Sequence, residues 1–325
     1  MCTRSQAIRS LLAVVAAFAT ALAQPALAQS SGWKRLSTTT APSARMYPAM
    51  AYDPVSKKLV LFGGGGANGN LNDTWTFDGT TWTQVETAVA PPVRNGASMA
   101  FDRFTHKIVM FGGFNVSQYL GDTWVWDGRT STWTEAQMPS PPPEATGAML
   151  FNDPLTGRAM MFGGYNAYNV IPVYNTTWIW TGTSWRELHP TVQPYPRAWG
   201  IAVTDPLRHN VVLTGGTGDT IRTDNTWTWD GHNWTQVSPA TQIPEYVGPG
   251  SAFDPKLQAV VVFDPLGETW EWTGTDWVQL SPVNSPSARA EVGMAYDFTS
   301  GQTIMFGGQI SNGNLVNGTW EFLGQ

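Results

Sequence analysis

Short runs of alternating apolar and polar residues recur along the chain and predict a protein built from β-strands. The first unit spans residues 42–85, and an Asp78-Gly79 pair separates its last two runs. Such a pair is typical of a β-hairpin, because glycine accepts the positive φ that the turn requires. Each unit is therefore predicted to be a four-stranded antiparallel sheet. Its strands are expected at residues 46–52, 58–62, 74–77 and 82–85.

The same order of strands occurs six times, and each third strand begins with a Thr-Trp pair. A repeat of about 50 residues predicts stacked or radially arranged supersecondary units. The pairs are Thr74-Trp75, Thr123-Trp124, Thr177-Trp178, Thr226-Trp227, Thr269-Trp270 and Thr319-Trp320. The predicted units are 42–85, 91–136, 141–188, 194–237, 243–280 and 286–325.

The sixth unit has no fourth strand, and the missing strand is found at the other end of the chain. Residues 32–36, Gly-Trp-Lys-Arg-Leu, resemble the fourth strand of unit five, residues 274–280. Pairing this segment with the last sheet closes a ring, which an open stack of units would not need. We therefore predict an all-β fold, a six-bladed β-propeller over residues 29–325 whose last blade is completed by strand 32–36.

The units resemble kelch repeats. Phe-Gly-Gly ends the second strand at Phe111, Phe162 and Phe306, and a tryptophan follows downstream. In unit five the glycines are replaced by Asp264-Pro265. The third strands carry Thr-Trp where kelch repeats commonly place a tyrosine before the later tryptophan. The resemblance covers about residues 32–325 and implies a kelch-type propeller.

Kelch propellers are similar to the central domain of galactose oxidase, whose copper site needs a crosslinked cysteine and histidine ligands. Here the only cysteine is Cys2, and the four histidines are spread over different loops. A copper site, any other metal site and any cofactor are therefore not expected. The histidines are His106, His189, His209 and His232.

Residues 1–28 have the pattern of an export signal. Arg4 and Arg9 precede an apolar run at 11–22, and Ala26-Leu27-Ala28 is a small-x-small cleavage site. We expect cleavage after Ala28, with Ala23 as the alternative, and a secreted or periplasmic product. No later segment reaches the roughly 20 apolar residues of a membrane helix.

Net charge makes nucleic acid an unexpected partner. The whole chain has 18 basic and 24 acidic residues, and removal of the signal takes away two arginines. The mature chain then has a formal charge of −8, so it gains no counterion-release energy from phosphates. The repeated aspartates that end the first strands are expected to cap tight turns rather than to bind metal. They are Asp53, Asp102, Asp153, Asp205, Asp254 and Asp297.

The loops between second and third strands vary in length and share one face of the ring with the starts of the first strands. Function is usually carried where loops vary. Just before the first strands, four equivalent arginines could grip a carboxylate, a sulfate or an acidic peptide. Pairing with a neighbouring Asp or carbonyl is the equally weighted alternative. The arginines are Arg45, Arg94, Arg197 and Arg289, with Glu144 and Tyr246 in their place in units three and five.

Trp199 is the one tryptophan of the mature chain outside the repeat positions. We align it with Tyr47, Gly96, Thr146, Gly248 and Glu291 in the other units. Together with Tyr119, Tyr165, Tyr168 and Tyr174 it could form an aromatic platform for a sugar or peptide. The alternative is that it plugs the channel.

These features predict an exported binding module for a protein, peptide or glycan on the variable-loop face. On this hypothesis, changing Arg94 and Arg197 to Ala abolishes capture of the partner without lowering the melting temperature.

An alternative is a cofactor-free isomerase, mutarotase or lyase, similar to exported kelch propellers that act on sialic acid. It would use Glu144 or Glu291 as base and the arginines as clamp. A second alternative is an envelope or matrix scaffold.

Overall fold

A computed structural model describes residues 31–218 and 223–324 of the protein. The predicted export signal, residues 1–28, lies outside the described residues. Within the described part of the chain, regular structure consists of β-strands, and no helix is long and apolar enough to cross a membrane.

Six antiparallel sheets form the blades, and the closing strand belongs to the sixth. The closing strand is β1 (Gly32–Leu36). Blade 1 holds β2 (Arg45–Met46), β3 (Ala49–Asp53), β4 (Lys58–Gly66), β5 (Gly69–Phe77) and β6 (Trp82–Val85). Blade 2 holds β7 (Ser98–Asp102), β8 (Lys107–Phe111), β9 (Thr123–Asp127) and β10 (Thr132–Glu135). Blade 3 holds β11 (Met149–Asn152), β12 (Ala159–Phe162), β13 (Thr177–Trp180) and β14 (Trp185–Leu188).

The remaining blades follow the same order of strands. Blade 4 holds β15 (Ile201–Asp205), β16 (Asn210–Thr214), β17 (Thr226–Trp229) and β18 (Trp234–Val237). Blade 5 holds β19 (Gly250–Asp254), β20 (Ala259–Phe263), β21 (Thr269–Trp272) and β22 (Trp277–Leu280). Blade 6 holds β24 (Gly293–Asp297), β25 (Gln302–Phe306), β27 (Thr319–Leu323) and β1. A small extra sheet joins β23 (Arg289–Ala290) to β26 (Gln309–Ile310).

The ring closes as predicted. Strand β1 pairs antiparallel with β27, from Gly32 opposite Leu323 to Leu36 opposite Thr319. The innermost strands β3, β7, β11, β15, β19 and β24 each contact the next, and β24 returns to β3. The protein is therefore a six-bladed β-propeller with a central channel, and its sixth blade is shared by the two ends of the described chain.

The repeated tryptophans and threonines bond neighbouring blades to each other. Each fourth-strand tryptophan donates its indole N–H to the hydroxyl of the Thr in the Thr-Trp pair of the preceding blade. The bonds measure 2.9–3.0 Å and run from Trp82 to Thr319, Trp133 to Thr74, Trp185 to Thr123, Trp234 to Thr177, Trp277 to Thr226 and Trp33 to Thr269. The repeated tryptophans therefore join adjacent blades, and the threonine is needed because it accepts a buried N–H that would otherwise be unpaired.

The Gly-Gly pairs at the ends of second strands allow close approach of the next blade. Gly63 and Gly64 have φ values of 59° and 106°, which only glycine adopts at low cost. The Gly64 N–H donates to the Arg94 carbonyl at 2.8 Å, and a Cβ on Gly63 would lie 2.8 Å from the same oxygen. Replacement of Gly63 would therefore push two blades apart.

The repeated aspartates cap the turns after the first strands, as predicted. Asp53 accepts hydrogen bonds from the Val55 N–H at 2.9 Å and the Ser56 hydroxyl at 2.7 Å. Asp102 and Asp297 make the corresponding bonds in their own turns. Among the described residues, no cluster of three or more His, Cys, Asp or Glu side chains could hold a metal ion.

In blade 1 the segment predicted as a loop, residues 65–72, is mostly strand. β4 continues through Gly66 and β5 begins at Gly69, so the two strands form a tight hairpin that projects from the blade. A bulge between Phe62 and Gly64 lets the ladder continue past the Gly-Gly pair. Glycine-rich sequence thus extends the hairpin here, whereas blades 2 and 3 place irregular loops at this point.

Candidate functional site

Six equivalent residues form a closed ring of backbone hydrogen bonds at the channel mouth. Each residue lies six positions before the repeated aspartate, and its N–H donates to the carbonyl of its counterpart in the preceding blade. The N···O distances are 2.6–3.2 Å. The residues are Tyr47, Gly96, Gly147, Trp199, Gly248 and Glu291. Blade 3 contributes Gly147 rather than the Thr146 expected from the sequence.

All six ring residues have a left-handed backbone, with φ between 49° and 70°. Three are glycine, whereas Tyr47, Trp199 and Glu291 carry large side chains. A non-glycine residue in this region costs roughly 1–2 kcal/mol, and such strain concentrates at functional sites. The three side chains are therefore kept at positions where glycine would be the easier residue for the backbone.

A row of aromatic rings crosses the mouth and continues over blades 2 and 3. Trp199 lies 6.5 Å from Tyr47 and 5.2 Å from Tyr165 between ring centroids. Tyr119 lies 5.9 Å from Tyr165 and 5.2 Å from Tyr168. The structure thus brings Trp199, Tyr119, Tyr165 and Tyr168 together, and Tyr47 joins them, whereas Tyr174 packs against a buried core cluster.

Trp199 lies against the backbone of its neighbouring blade. A Cβ on Gly147 would come within 2.7 Å of the indole, so glycine at 147 provides the space in which the ring rests. The indole covers one side of the mouth while leaving part of its surface exposed. Trp199 therefore lines the channel and belongs to the aromatic row.

Glu291 is a half-buried carboxyl group on the other side of the mouth. It accepts a hydrogen bond from the Tyr47 hydroxyl, and its Oε2 has no partner among the described residues. Burial raises the pKa of Glu291, and the Tyr47 hydrogen bond offsets part of that shift. Burial and the nearby carboxylate also raise the pKa of Tyr47. The pair places one polar, poorly solvated group beside the aromatic row.

Behind the ring lies a channel of about 1300 Å³ lined by the first strands of all six blades. Small and apolar side chains such as Ala49, Ser98 and Met149 line its walls, and His106 and His209 lie toward the opposite end. The lining also includes polar side chains such as Asn152, Thr204 and Ser251, so the channel as well as the mouth offers polar contacts.

The four arginines do not surround the mouth with free guanidinium groups. Arg45, Arg94 and Arg197 are at most 1 % exposed and Arg289 is 5 % exposed. Arg45 binds both oxygens of Asp73, at 2.6 and 2.8 Å, and Arg94 binds both oxygens of Asp122, at 2.7 Å each. The structure thus favours the pairing alternative over ligand binding, because the guanidinium groups are held inside their blades.

The sequence alignment named Glu144 and Tyr246 as the residues that replace the arginine in blades 3 and 5, and the structure changes the first of these. The blade 3 counterpart is Ala145, whose carbonyl accepts the Gly113 N–H as the Arg94 carbonyl accepts that of Gly64. Glu144, one residue earlier, is exposed and outside the channel, so it is not placed to act as a base there. Tyr246 is the blade 5 counterpart, but its side chain packs inside the blade beside Asp264. Burial, and then that carboxylate, raise the pKa of Tyr246.

A family model described as the KLHDC2/KLHL20/DRC7 Kelch-repeats domain matches residues 27–181. The match includes the closing strand and ends just after the third strand of blade 3. This match and the six-bladed ring together support a kelch-repeat β-propeller. Propellers of this class are generally protein-interaction modules. No match to the chain was found among curated proteins.

The loops of this kelch propeller expose apolar side chains that sequence reasoning did not single out. They lie in the second-to-third-strand loops of blades 2 and 3, next to the aromatic row. They are Val116 at 77 %, Tyr168 at 71 %, Val170 at 101 % and Ile171 at 67 % exposure. Of these only Tyr168 was predicted as a site residue, because isolated apolar residues in a loop carry no periodic signal.

Because the backbone at Trp199 is left-handed, glycine should destabilise this position less than alanine, which is the reverse of the usual order in a strand. We expect Trp199→Gly to be more stable than Trp199→Ala by about 1 kcal/mol, because only glycine relieves the backbone strain. At Trp178, which lies in strand β13 without a positive φ, the order should reverse by roughly 0.5–1 kcal/mol. Urea unfolding of the four variants measures both differences. The same order at both positions would contradict the strain assigned to Trp199.

Proposed function

We propose that the protein binds a partner protein through the variable-loop face of blades 2 and 3. The observation that supports this is the group of exposed apolar side chains Val116, Tyr168, Val170 and Ile171, which we call the loop patch. Contiguous exposed apolar surface on a soluble protein marks an interaction site or an aggregation liability. Here it continues into the aromatic row at the channel mouth.

The chemistry of the loops fits recognition of a neutral, partly apolar segment. Residues 114–121 and 165–175 contain no charged side chain and are rich in Tyr, Asn and Val. Tyrosine supplies contact area at low entropic cost and asparagine supplies adaptable hydrogen bonds, as in antibody loops. The expectation of an acidic ligand rested on the four arginines, and their burial removes its support.

The two loops support one another and form one surface. The Tyr168 hydroxyl donates to the Ser117 carbonyl at 3.4 Å, and Tyr168 packs on Tyr119. In blade 3, the Asn166 amide donates to the Glu144 carbonyl at 3.1 Å and holds the loop base. A partner would therefore meet a surface whose parts are already positioned relative to one another.

Exposed apolar residues on the opposite face belong to the repeated turns, unlike those of the loop patch. Phe104, Leu155, Leu207 and Phe298 lie in the repeated turns after the first strands and are 53–63 % exposed. The Arg158 guanidinium lies 3.8 Å from the Phe104 ring centre, and Phe298 packs on Tyr52. Phe104, Leu155 and Phe298 lie against the adjoining blade, and all four positions recur with the repeat, so this face serves as the control surface.

The proposal includes export through the signal at residues 1–28, so the partner is sought among exported proteins. The isomerase or lyase alternative needs an arginine clamp open to substrate, and the arginines are held inside the blades, so we do not propose it. A glycan ligand and a scaffold role remain outcomes of the experiment below.

Capture from an exported proteome tests the proposal with two matched triple variants. Tyr168→Ser/Val170→Ser/Ile171→Ser should weaken partner binding at least about tenfold, because central apolar anchors dominate binding energy. Leu155→Ser/Leu207→Ser/Phe298→Ser removes similar exposed apolar area from the other face and should retain capture. Melting temperatures confirm that each variant is folded.

Three results would contradict this proposal. Equal loss of capture in both triple variants would show a non-specific apolar effect. Specific retention on a glycan array, with unchanged protein capture by the loop-patch variant, would favour a glycan. Self-association without other capture would favour a scaffold.

A further inference from the structure

In blades 1 and 2 one aspartate, placed just before the Thr-Trp pair, accepts hydrogen bonds from two different side chains. Asp73 takes both Arg45 contacts and also the Trp75 indole N–H at 2.7 Å. Asp122 takes the equivalent bonds from Arg94 and Trp124. In blade 4, Asn225 accepts from Arg197 at 2.6 Å and from Trp227 at 3.0 Å. In each of these three blades, an arginine guanidinium and a tryptophan indole N–H therefore share one acceptor side chain.

Blade 6 keeps both donors and lacks the acceptor. Gly318 occupies the position before Thr319-Trp320. Arg289 still donates to the Ser287 carbonyl at 3.0 Å and hydroxyl at 2.8 Å, and it is 5 % exposed. Among the described residues, no acid pairs with Arg289, and the buried Trp320 indole N–H has no partner. Unmade bonds of this kind are costly in a buried site.

The Trp320 indole fills part of the space that the aspartate side chain occupies in blades 1 and 2, and the Arg289 guanidinium lies 5.8 Å from its ring centre. A Cβ built on Gly318 would lie 2.9 Å from Trp320 Nε1 and 3.8 Å from Arg289 Nη1. The corresponding side chains of Asp73 and Asp122 are 21 % and 20 % exposed. Trp320 also lines a surface pocket with Ser285 and Arg35, so an anion would reach the two donors from this pocket when the indole shifts.

The surroundings favour a negative charge. Arg35 is opposite Trp320 in the β1–β27 ladder, so the two side chains project from the same face of the blade. Burial, and then the Arg35 charge, lower the pKa of Arg289. A bound anion would offset the repulsion between the two arginines and accept the unpaired indole N–H.

We propose that Arg289, Trp320 and Gly318 form a binding site for a small carboxylate, such as formate or acetate. We call it the blade 6 carboxylate site. The two carboxylate oxygens would take the positions of the aspartate oxygens in blades 1 and 2, one facing the guanidinium alone and one shared with the indole. A planar group with two oxygens matches the fork of the arginine. This site is separate from the loop patch and does not depend on the proposed partner binding.

Acetate titration of the full mature protein tests the site through the indole N–H signals of ¹⁵N-labelled tryptophan. Trp320→Phe identifies the Trp320 signal. Acetate should shift that signal in a saturable way at constant ionic strength and raise the melting temperature by mass action. Gly318→Asp should raise the melting temperature without acetate and lose the response. Absence of a saturable Trp320 shift in the wild type would overturn the proposal.

The repeat provides a matched control in blade 1. Asp73→Gly should create the same site there, so that the Trp75 signal responds to acetate and acetate recovers part of the lost melting temperature. A response of Trp75 in this variant without a response of Trp320 in the wild type would show that such a pair of donors can bind acetate. It would also refute the blade 6 carboxylate site. Because Gly318→Asp requires Trp320 to move, Arg289→Gln serves as a second test and should abolish the Trp320 response. A retained response in Arg289→Gln would also refute the site.

Discussion

Replacing Trp33 with Ala should lower the free energy of unfolding by about 4 kcal/mol, the cost of truncating a buried aromatic side chain. Trp33 is 1 % exposed and packs on Phe263 and Phe322, with ring centres 5.4 and 5.0 Å away. Its indole N–H also donates to Thr269 across the boundary between blades 5 and 6. The substitution removes the contact through which the closing strand joins its neighbouring blade.

Chemical denaturation measures the loss in free energy of unfolding, and hydrogen exchange measures the detachment of the closing strand. Lys34→Ala is the matched control, since Lys34 is the next residue of β1 and its pairing with Glu321 is largely exposed. It should cost at most about 1 kcal/mol. In the Trp33 variant, amide exchange should accelerate most in β27, which loses its partner strand when β1 detaches. A Trp33 variant no less stable than the Lys34 variant would contradict the role given to ring closure.

Much of the fold could be predicted because the repeated residues all have a structural role. The Thr-Trp pairs count the blades, and the similarity of residues 32–36 to a fourth strand predicts how the ring closes. The role of Thr269 and its counterparts as acceptors could not be predicted, because the bonding tryptophan lies in another blade. The strands of each blade can be predicted from local sequence, whereas contacts between blades join residues that are distant in the sequence.

The candidate site was harder to predict because unequal loops displaced the alignment by one residue. The constant spacing to the aspartate, eight residues from Arg94 to Asp102 and from Ala145 to Asp153, would have given the blade 3 position correctly. The pairing of the arginines also had a signal, since Arg45 and Arg94 each precede their aspartate partner by 28 residues. Exposure of Val170 and Ile171 had no such signal, because it follows from how one irregular loop folds.

Replacing Arg94 with Ala should destabilise the protein by about 3 kcal/mol, since it leaves one member of a buried ion pair without its partner. Asp122 would lose two charge-assisted bonds of 2.7 Å, and the Gly112 carbonyl would lose a bond of 2.9 Å. This expectation reverses the sequence-based hypothesis that replacing Arg94 and Arg197 together with Ala leaves the melting temperature unchanged. Urea unfolding of the variant distinguishes the two. Unchanged stability with lost partner capture would restore the ligand-binding hypothesis.

Blade 3 shows how the loss can be compensated, because it has no ion pair at this place. Ala145 replaces the arginine, and Thr176 replaces the aspartate while still accepting the Trp178 indole N–H at 2.9 Å. The double variant Arg94→Ala/Asp122→Thr copies that arrangement and leaves no unpaired charge. It should be more stable than Arg94→Ala alone, with a coupling of about 1–3 kcal/mol in a double-mutant cycle. Additive losses would contradict the pairing, since the two side chains would then contribute independently of each other.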